Sequence, residues 1–278
     1  MIAILVVASL LAGAPPAWQI TIDRPLKAGQ KYRLDASGEQ SMTMKDKDGK
    51  VLKTDRLTTT LKADVTVSKV DDRGIATELS VQVESLNMVV GERASKPIEN
   101  ERVVVTRTGP QETFVAGFGE ITGPARKALR LAISVQPPGA PRSDDIFPAG
   151  KPRKLGDSWP MDAAKMATAM QGHGSDAKAE HIKGQAQLKG ISPCGKETCL
   201  DLRFEFTVAN VQPTSKPRGM KWIGANAKTI GTGLLPLDPR KQRLTETQED
   251  WMTARVEVDG EKRTIEYHRT VSRKVTPL

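Results

Sequence analysis

The sequence predicts a mainly β protein: antiparallel meander sheets, curved into a half-barrel or sandwich-like form, with one or two short covering helices. Three observations predict it. Apolar and polar residues alternate over long stretches, as at 57–67, 182–190 and 200–208, and period-2 alternation marks a half-buried strand. Turn residues separate consecutive stretches, as at Asp48-Gly49, Asp71-Asp-Arg-Gly74 and Asp259-Gly260, so sequence neighbours pair as hairpins. Helical periodicity is confined to the segment after Thr122 and to Met161–Met170.

The first elements are strands. Tyr32, Leu34 and Ala36 alternate, and Met42 to Val51 carries the Asp48-Gly49 turn. Leu57, Thr59, Leu61, Ala63, Val65 and Val67 form one apolar face. After the turn at 71–74, Ile75, Thr77, Leu79, Val81 and Val83 alternate back. Arg102–Thr108 and Glu112–Val115 flank Gly109-Pro110 as two short strands. Thr122 then opens a helix. A hydroxyl at the N-cap satisfies an orphan amide, Pro124 suits the first turn, and Ala125, Ala128, Leu129, Ala132 and Ile133 form a narrow apolar stripe fit to cover a sheet.

Residues 136–160 hold Pro137, Pro138, Pro141, Pro148, Pro152 and Pro160, a density that marks a linker. The expected organisation is a signal segment at 1–17, an N-terminal β-rich half at 18–135, the linker at 136–160 and a C-terminal β-rich half at 161–278. In that second half, Met161–Met170 reads as a short helix and 171–178 as a loop. Ile182, Gly184, Ala186, Leu188 and Gly190 share one strand face. Leu200, Leu202, Phe204, Phe206 and Val208 share the face of the next. Cys194 and Cys199, the only cysteines, sit at the tip of this hairpin and can close it as a disulfide. So short a loop makes a local clamp. A redox pair would use C-x-x-C at a helix start, and two thiolates do not complete a tetrahedral zinc site. Lys221–Leu235, Arg243–Val258 and Glu261–Val275 follow as strands. In the last, Arg263, Ile265, Tyr267 and Arg269 alternate against Thr264, Glu266 and His268.

Met1 to Ala17 is uncharged and largely apolar, with Ala12 and Ala14 in A-x-A spacing. That is the h-region and exit of a secretory signal peptide. A basic n-region is lacking, and the run is short of the ~20 residues that span a bilayer. Ala14 stands where a lipobox requires cysteine, so the mature chain is expected to be unlipidated. The chain is thus expected to be periplasmic or secreted, with no transmembrane span after cleavage.

The formal net charge is +9, with 38% hydrophobic and 27% charged residues, a composition that supports a packed core. Basic residues such as Lys53, Lys62, Arg73, Arg126, Arg203, Arg240 and Arg273 are scattered and read as solvated strand faces. The densest group is Lys151, Arg153 and Lys154. Such a surface favours anionic lipid headgroups or acidic glycans. Nucleic acid is not an expected partner, because aromatics are only 4% of the chain and base-stacking platforms are scarce.

Motifs with chemistry are absent or incomplete. Gly117-Phe-Gly-Glu-Ile-Thr-Gly123 places Thr122 where a dinucleotide loop needs glycine and lacks the Gly-Lys-Ser/Thr of a phosphate loop. Asp46-x-Asp48-Gly49 puts Met44 at the first position of a calcium loop. His173, His181 and His268 show no metal spacing. Glu246, Glu249 and Asp250 lie on one strand, so they do not oppose each other across a sugar. They read as a solvated face beside Trp251. No catalytic, metal or cofactor residue is assigned.

Lys154-Leu-Gly-Asp-Ser-Trp159 after the prolines, with Gly29-Gln-Lys-Tyr32 at the first long strand, resembles a family of uncharacterised exported bacterial β-rich proteins. The resemblance spans most of the mature chain in layout and implies a β-rich fold without an activity to carry over. In this reading Gly156 and Asp157 turn the chain and Trp159 plugs a sheet edge.

The expected function is that of a non-catalytic bacterial envelope protein, a binding or carrier module whose concave sheet holds an apolar or amphipathic ligand such as a lipid. Docking on anionic envelope polymers is the alternative, and a hydrolase with an unrecognised site is a further one. Trp159, Trp222 and Trp251 offer the area and the single donor suited to ligand contact, and each also suits a core.

Overall fold

The computed structural model describes residues 16–108, 111–137, 139–194, 197–215 and 219–278. The apolar leader up to residue 15, the Gly109-Pro110 turn and Pro138 lie outside them. The strands are β1 (Ala17–Trp18), β2 (Lys31–Lys45), β3 (Val51–Val70), β4 (Ala76–Val90), β5 (Arg93–Thr108), β6 (Gln111–Ala116), β7 (Gly119–Glu120), β8 (Arg153–Lys154), β9 (Ser158–Pro160), β10 (Ser175–Asp176), β11 (Ile182–Cys194), β12 (Glu197–Pro213), β13 (Met220–Pro236), β14 (Thr245–Val258) and β15 (Glu261–Pro277). The helices are α1 (Gly123–Ala132), α2 (Ser143–Ile146) and α3 (Ala163–Gly172).

The sheet is antiparallel and does not close into a barrel. Its order is β7-β6-β5-β4-β3-β2-β15-β14-β13-β12-β11-β9, with β10 paired to β12 and β1 to β8. Two hairpin meanders therefore meet at β2 and β15, whose register runs from Thr264 opposite Lys45 to Pro277 opposite Tyr32. The halves on either side of 136–160 share this one sheet, and the proline-rich segment itself carries α2, β8 and β9.

Local signals explain the hairpins. Asp259 and Gly260 both hold positive φ, 54° and 80°, as a type I′ turn requires. Asp46 accepts the amides of Asp48 and Lys50 at 3.0 and 2.9 Å, a side chain mimicking a backbone turn. Cys194 and Cys199 are joined as a disulfide at the tip of the β11–β12 hairpin.

Both cores lie on one face of the sheet. On β2, Leu34 and Ala36 belong to an N-terminal core with α1, while Met42 and Met44 pack on a C-terminal core with α2 and α3. All four are even-numbered, and side chains two apart share a face. On β15, Val271 and Ile265 divide the same way. Helix α1 sits close on β2, where a Cβ at Gly38 would meet the Leu131 Cβ at 3.2 Å. Thr122 occupies the α1 N-cap, yet its side chain makes no capping hydrogen bond. In α3 the Asp162 carboxylate does cap, accepting from the amides of Ala164 and Lys165. Strand β5 begins at Arg93, well before the expected Arg102. Its early residues are mostly exposed and lack alternating apolarity, so they join the sheet through backbone pairing with β4.

Trp159 anchors the C-terminal core. It is 1% exposed, its indole N–H donates to the Phe147 carbonyl at 3.0 Å, and Arg153 lies over its ring at 5.2 Å. The preceding turn presents Gly156 at φ +88°, and the Asp157 carboxylate accepts the Lys154 amide at 2.9 Å. The Leu188 amide donates to the Asp157 carbonyl at 3.0 Å, which fixes this edge on β11.

Trp159→Ala should cost about 3–5 kcal/mol of stability, read by urea unfolding. A loss under ~1 kcal/mol would refute its role as the core's anchor. Cys194→Ser with Cys199→Ser should cost only about 2 kcal/mol, because the closed loop is short.

Candidate functional site

Between the two cores the inner face turns polar. Along β15 it reads Ile265, Tyr267, Arg269, Val271, Arg273, and along β14 it reads Glu246, Gln248, Asp250, Met252, Ala254. Register aligns these groups across strands. Gln40 lies opposite Arg269, Arg269 opposite Asp250, Asp250 opposite Thr229, and Thr229 opposite Phe206. This row floors a cleft of about 1110 Å³, walled by the C-terminal part of α1 on one side and by α3 on the other. Ten Lys and Arg residues border it against four Asp and Glu, although one of them, Lys228, lies opposite Trp251 on the outer-facing register; the bias is still more cationic than the 42 to 33 of the whole chain.

The charged groups are held in fixed pairs. Arg269 grips Asp250 at 2.6–2.7 Å, and Asp250 also accepts from Thr229 at 2.7 Å and Gln248 at 2.9 Å. Tyr267 donates to Gln40 at 3.4 Å, and burial raises its hydroxyl pKa. Arg273 donates to the Ala132 and Leu131 carbonyls at 2.8 and 3.2 Å. A cation is thereby placed on the negative end of α1, where orphan carbonyls need donors. Arg273 is thus no solvated strand-face charge, because the helix end demands its donors. Its pKa is lowered, by burial first. Burial also acts to raise the pKa of Glu246, but Arg243 and Arg273, at 3.2 and 3.7 Å, outweigh it and hold the carboxyl below its ordinary value.

The far end of the cleft is built from β5 and β6. Arg107 and Glu112 are opposed in register and both buried. Glu112 accepts the Val135 amide at 2.7 Å, and Arg107 donates to the Val135 carbonyl at 3.0 Å. The chain leaving α1 is therefore pinned at both of its polar groups. Arg107 Nη2 also lies 3.1 Å from Nδ1 of His173, the C-cap of α3. That contact ties the N-terminal sheet to the C-terminal helix across the cleft. Burial, then the charges of Arg107, Arg130 and Arg269, depress the His173 pKa to about 4.

The tryptophans do not converge. Trp159 is in the core. Trp222 is half-buried and donates to the Val211 carbonyl at 2.8 Å. Trp251 lies opposite Lys228 and His268 and stacks on the His268 ring at 5.5 Å. Its odd position puts it, with Glu249, on the face away from Asp250 and Glu246. The three acidic residues thus divide. Glu246 and Asp250 face the cleft rather than forming a solvated face, because Arg243, Arg269 and Arg273 neutralise them there. Glu249 pairs with His268 at 2.9 Å on the outer face. His181 stands apart, 3.8 Å from Glu180. Among the described residues no group of three or more His, Cys, Asp or Glu is arranged to hold a metal ion. No helix of the described residues is long and apolar enough to cross a membrane. The cleft arginines were not singled out by sequence reasoning. The available signal was the interruption of apolar inner-face positions by Arg269 and Arg273 in β15.

No protein-family model and no curated protein matches the chain. Among solved structures, Pseudomonas aeruginosa OccK11 (OpdR) aligns at 9% identity over 92% of this chain and 99% of that one, with a TM-score of 0.24. DynF from the dynemicin biosynthesis pathway of Micromonospora chersina aligns at 9% identity over 96% and 86%, with a TM-score of 0.18. Both scores fall short of a shared fold, so function is argued from the site itself.

Arg273→Ala should cost about 3 kcal/mol, since it leaves two helix carbonyls without donors and Glu246 short of a partner. Arg273→Met with Glu246→Gln should recover part of the loss, and urea unfolding of both variants decides. His173 has a folded pKa of about 4 against 6.5 ordinarily, so the unfolded chain binds the proton more readily. Its contribution to stability is present above pH 6.5 and is lost as pH falls from 6.5 toward 4. Cavity water screens part of this effect, and His173→Asn should flatten that part of the profile. An imidazole midpoint at or above 6.5 by NMR would refute the shift.

Proposed function

We propose that the protein is a non-catalytic binding or carrier module of the bacterial envelope, and that the cleft between its two cores holds an amphipathic ligand. The observation that carries this reading is the lining. Apolar groups of α1, α3 and β12 (Leu131, Met170 and Phe206) share one cavity with the cationic row of β15. A volume near 1110 Å³ is at the upper end for small-molecule sites, and mixed lining suits a molecule with one wet and one dry end. The cleft walls belong to separate cores, so each wall is held rigid before a ligand arrives, which limits the ordering cost of binding. The Cys194–Cys199 disulfide supports an exported location, since such bonds persist where thiols oxidise.

Native mass spectrometry of protein purified from the periplasm, followed by solvent extraction, tests this reading. A bound species of discrete mass, released as an amphiphile, is the expected result. A bare protein mass would overturn tight carriage.

A further inference from the structure

Resting on that reading, the lining also specifies the chemical class of the ligand. Three guanidiniums, Arg107, Arg130 and Arg269, come from β5, α1 and β15, and all three act electrostatically on the single imidazole of His173. Two carboxylates stand among them. Asp250 offsets Arg269, with Thr229 and Gln248 also donating to it, and Glu112 accepts the Val135 amide and offsets Arg107 across the β5–β6 register, which leaves three cations against two anions. Positive charge is therefore in excess at this end of the cleft, and a cationic pocket with low-dielectric walls focuses its field on an anion. Arg130 is the adaptable member. Its side chain is 52% exposed, and its ion-pair partner Glu112 is 3.7 Å away, so it can turn its planar fork to an oxyanion at little cost.

Direction follows from the register. The row from Arg269 through Asp250 and Thr229 ends at Phe206, three strand spacings or about 14 Å away. Phe206 and Val208 of β12 lie there in the C-terminal core, with Met166 and Met170 of α3. Polarity thus falls steadily from the β15 end to the β12 end of one cavity.

We propose that the cleft recognises an anionic amphiphile, with its carboxylate or phosphate head between Arg130 and Arg269 and its hydrocarbon chain running along the sheet toward Phe206 and Met170. The anionic head gives specificity by charge and by bidentate hydrogen bonding, while the chain supplies apolar burial. A neutral amphiphile of equal length keeps only the second contribution.

Calorimetric titration of the purified full-length mature protein with dodecanoate, dodecyl phosphate, the neutral monododecanoylglycerol and inorganic phosphate tests the inference. The expected result is at least ten-fold tighter binding of the two anionic amphiphiles than of the neutral one. That preference should shrink several-fold between 50 and 500 mM salt, and should be largely lost in Arg130→Gln, whose exposed position spares the fold. Arg269→Lys, which keeps a charge beside Asp250 but loses the planar fork, should weaken the preference without abolishing it. Equal binding of charged and neutral amphiphiles would overturn the headgroup inference and leave the carrier reading standing. Inorganic phosphate binding as tightly as dodecyl phosphate would overturn the amphiphile and make a free oxyanion the occupant. No binding of any probe would overturn both readings.

Discussion

The pairing of β2 with β15 is the constraint on which the rest depends. It joins the start of one meander to the end of the other through fourteen register pairs, across more than two hundred residues of chain. Each half alone would be an open sheet with a long unpaired edge at its centre, which is an invitation to aggregate. Once joined, the outermost strands are the short β7 and β9, and the exposed edge that remains is the early part of β5 and the flanks of β11. The closure also places two hydrophobic cores on one continuous face, and their separation along β2 and β15 defines the cleft. Contacts this distant in sequence close late and at a high entropic cost. The local hairpins must therefore be formed well enough to present complementary edges.

The polar strip between the cores exists because α1 ends over it. A helix end that points into a cavity leaves carbonyls that water or side chains must satisfy. Here Arg273 from the sheet floor and Arg107 from β5 meet carbonyls of residues 131, 132 and 135. Burying those cations requires counter-charges, and Glu246 and Glu112 supply them. The cationic lining is thus in part the structural consequence of seating a helix on a sheet. Arg130 and Arg269 are different, because neither caps a helix carbonyl. Arg130 projects from α1 with half its surface free, and this separates the groups that build the cleft from those available to a ligand.

The hairpins were legible because alternation and turn chemistry are local. The strand at Leu57–Val67, the Cys194–Cys199 hairpin and the Asp259-Gly260 turn needed nothing from the rest of the chain. The β2–β15 closure was not legible, since no local signal says which open edges will meet. Trp159 could be read as an edge plug from the Gly-Asp turn before it, but its burial depends on α2 and Phe147 arriving from a proline-rich stretch that reads as linker. The cleft was hidden for a related reason. Arg269 and Arg273 share the parity of Ile265, Tyr267 and Val271, and an apolar face broken by two arginines says nothing by itself about the groups of α1 and β14 that cover it. Thr122 shows the converse failure. Its position at the N-cap was readable, whereas the rotamer that would make the capping bond was not.

Glycines on the inner face of the sheet let neighbouring groups come close to its backbone. Gly231 and Gly233 of β13 face the same side as Leu235 and Ala225, beside Phe204 and Leu235. Gly38 of β2 lets Leu131 approach within a Cβ contact distance. Glycine inside a strand sacrifices packing and stiffness, so three on one face of two strands need a cause. At Gly38 the cause is the close seat of α1. At Gly233 a Cβ would only meet Arg243 and Leu235 in ordinary contact, at 3.5 and 3.4 Å, and Arg243 is the partner that holds Glu246 in place. The omission at Gly38 lets the helix descend, and the end of that helix lines the cleft. A valine at Gly38 would push Leu131 off the sheet, so the seat of α1, and with it one wall of the cleft, depends on that single omission.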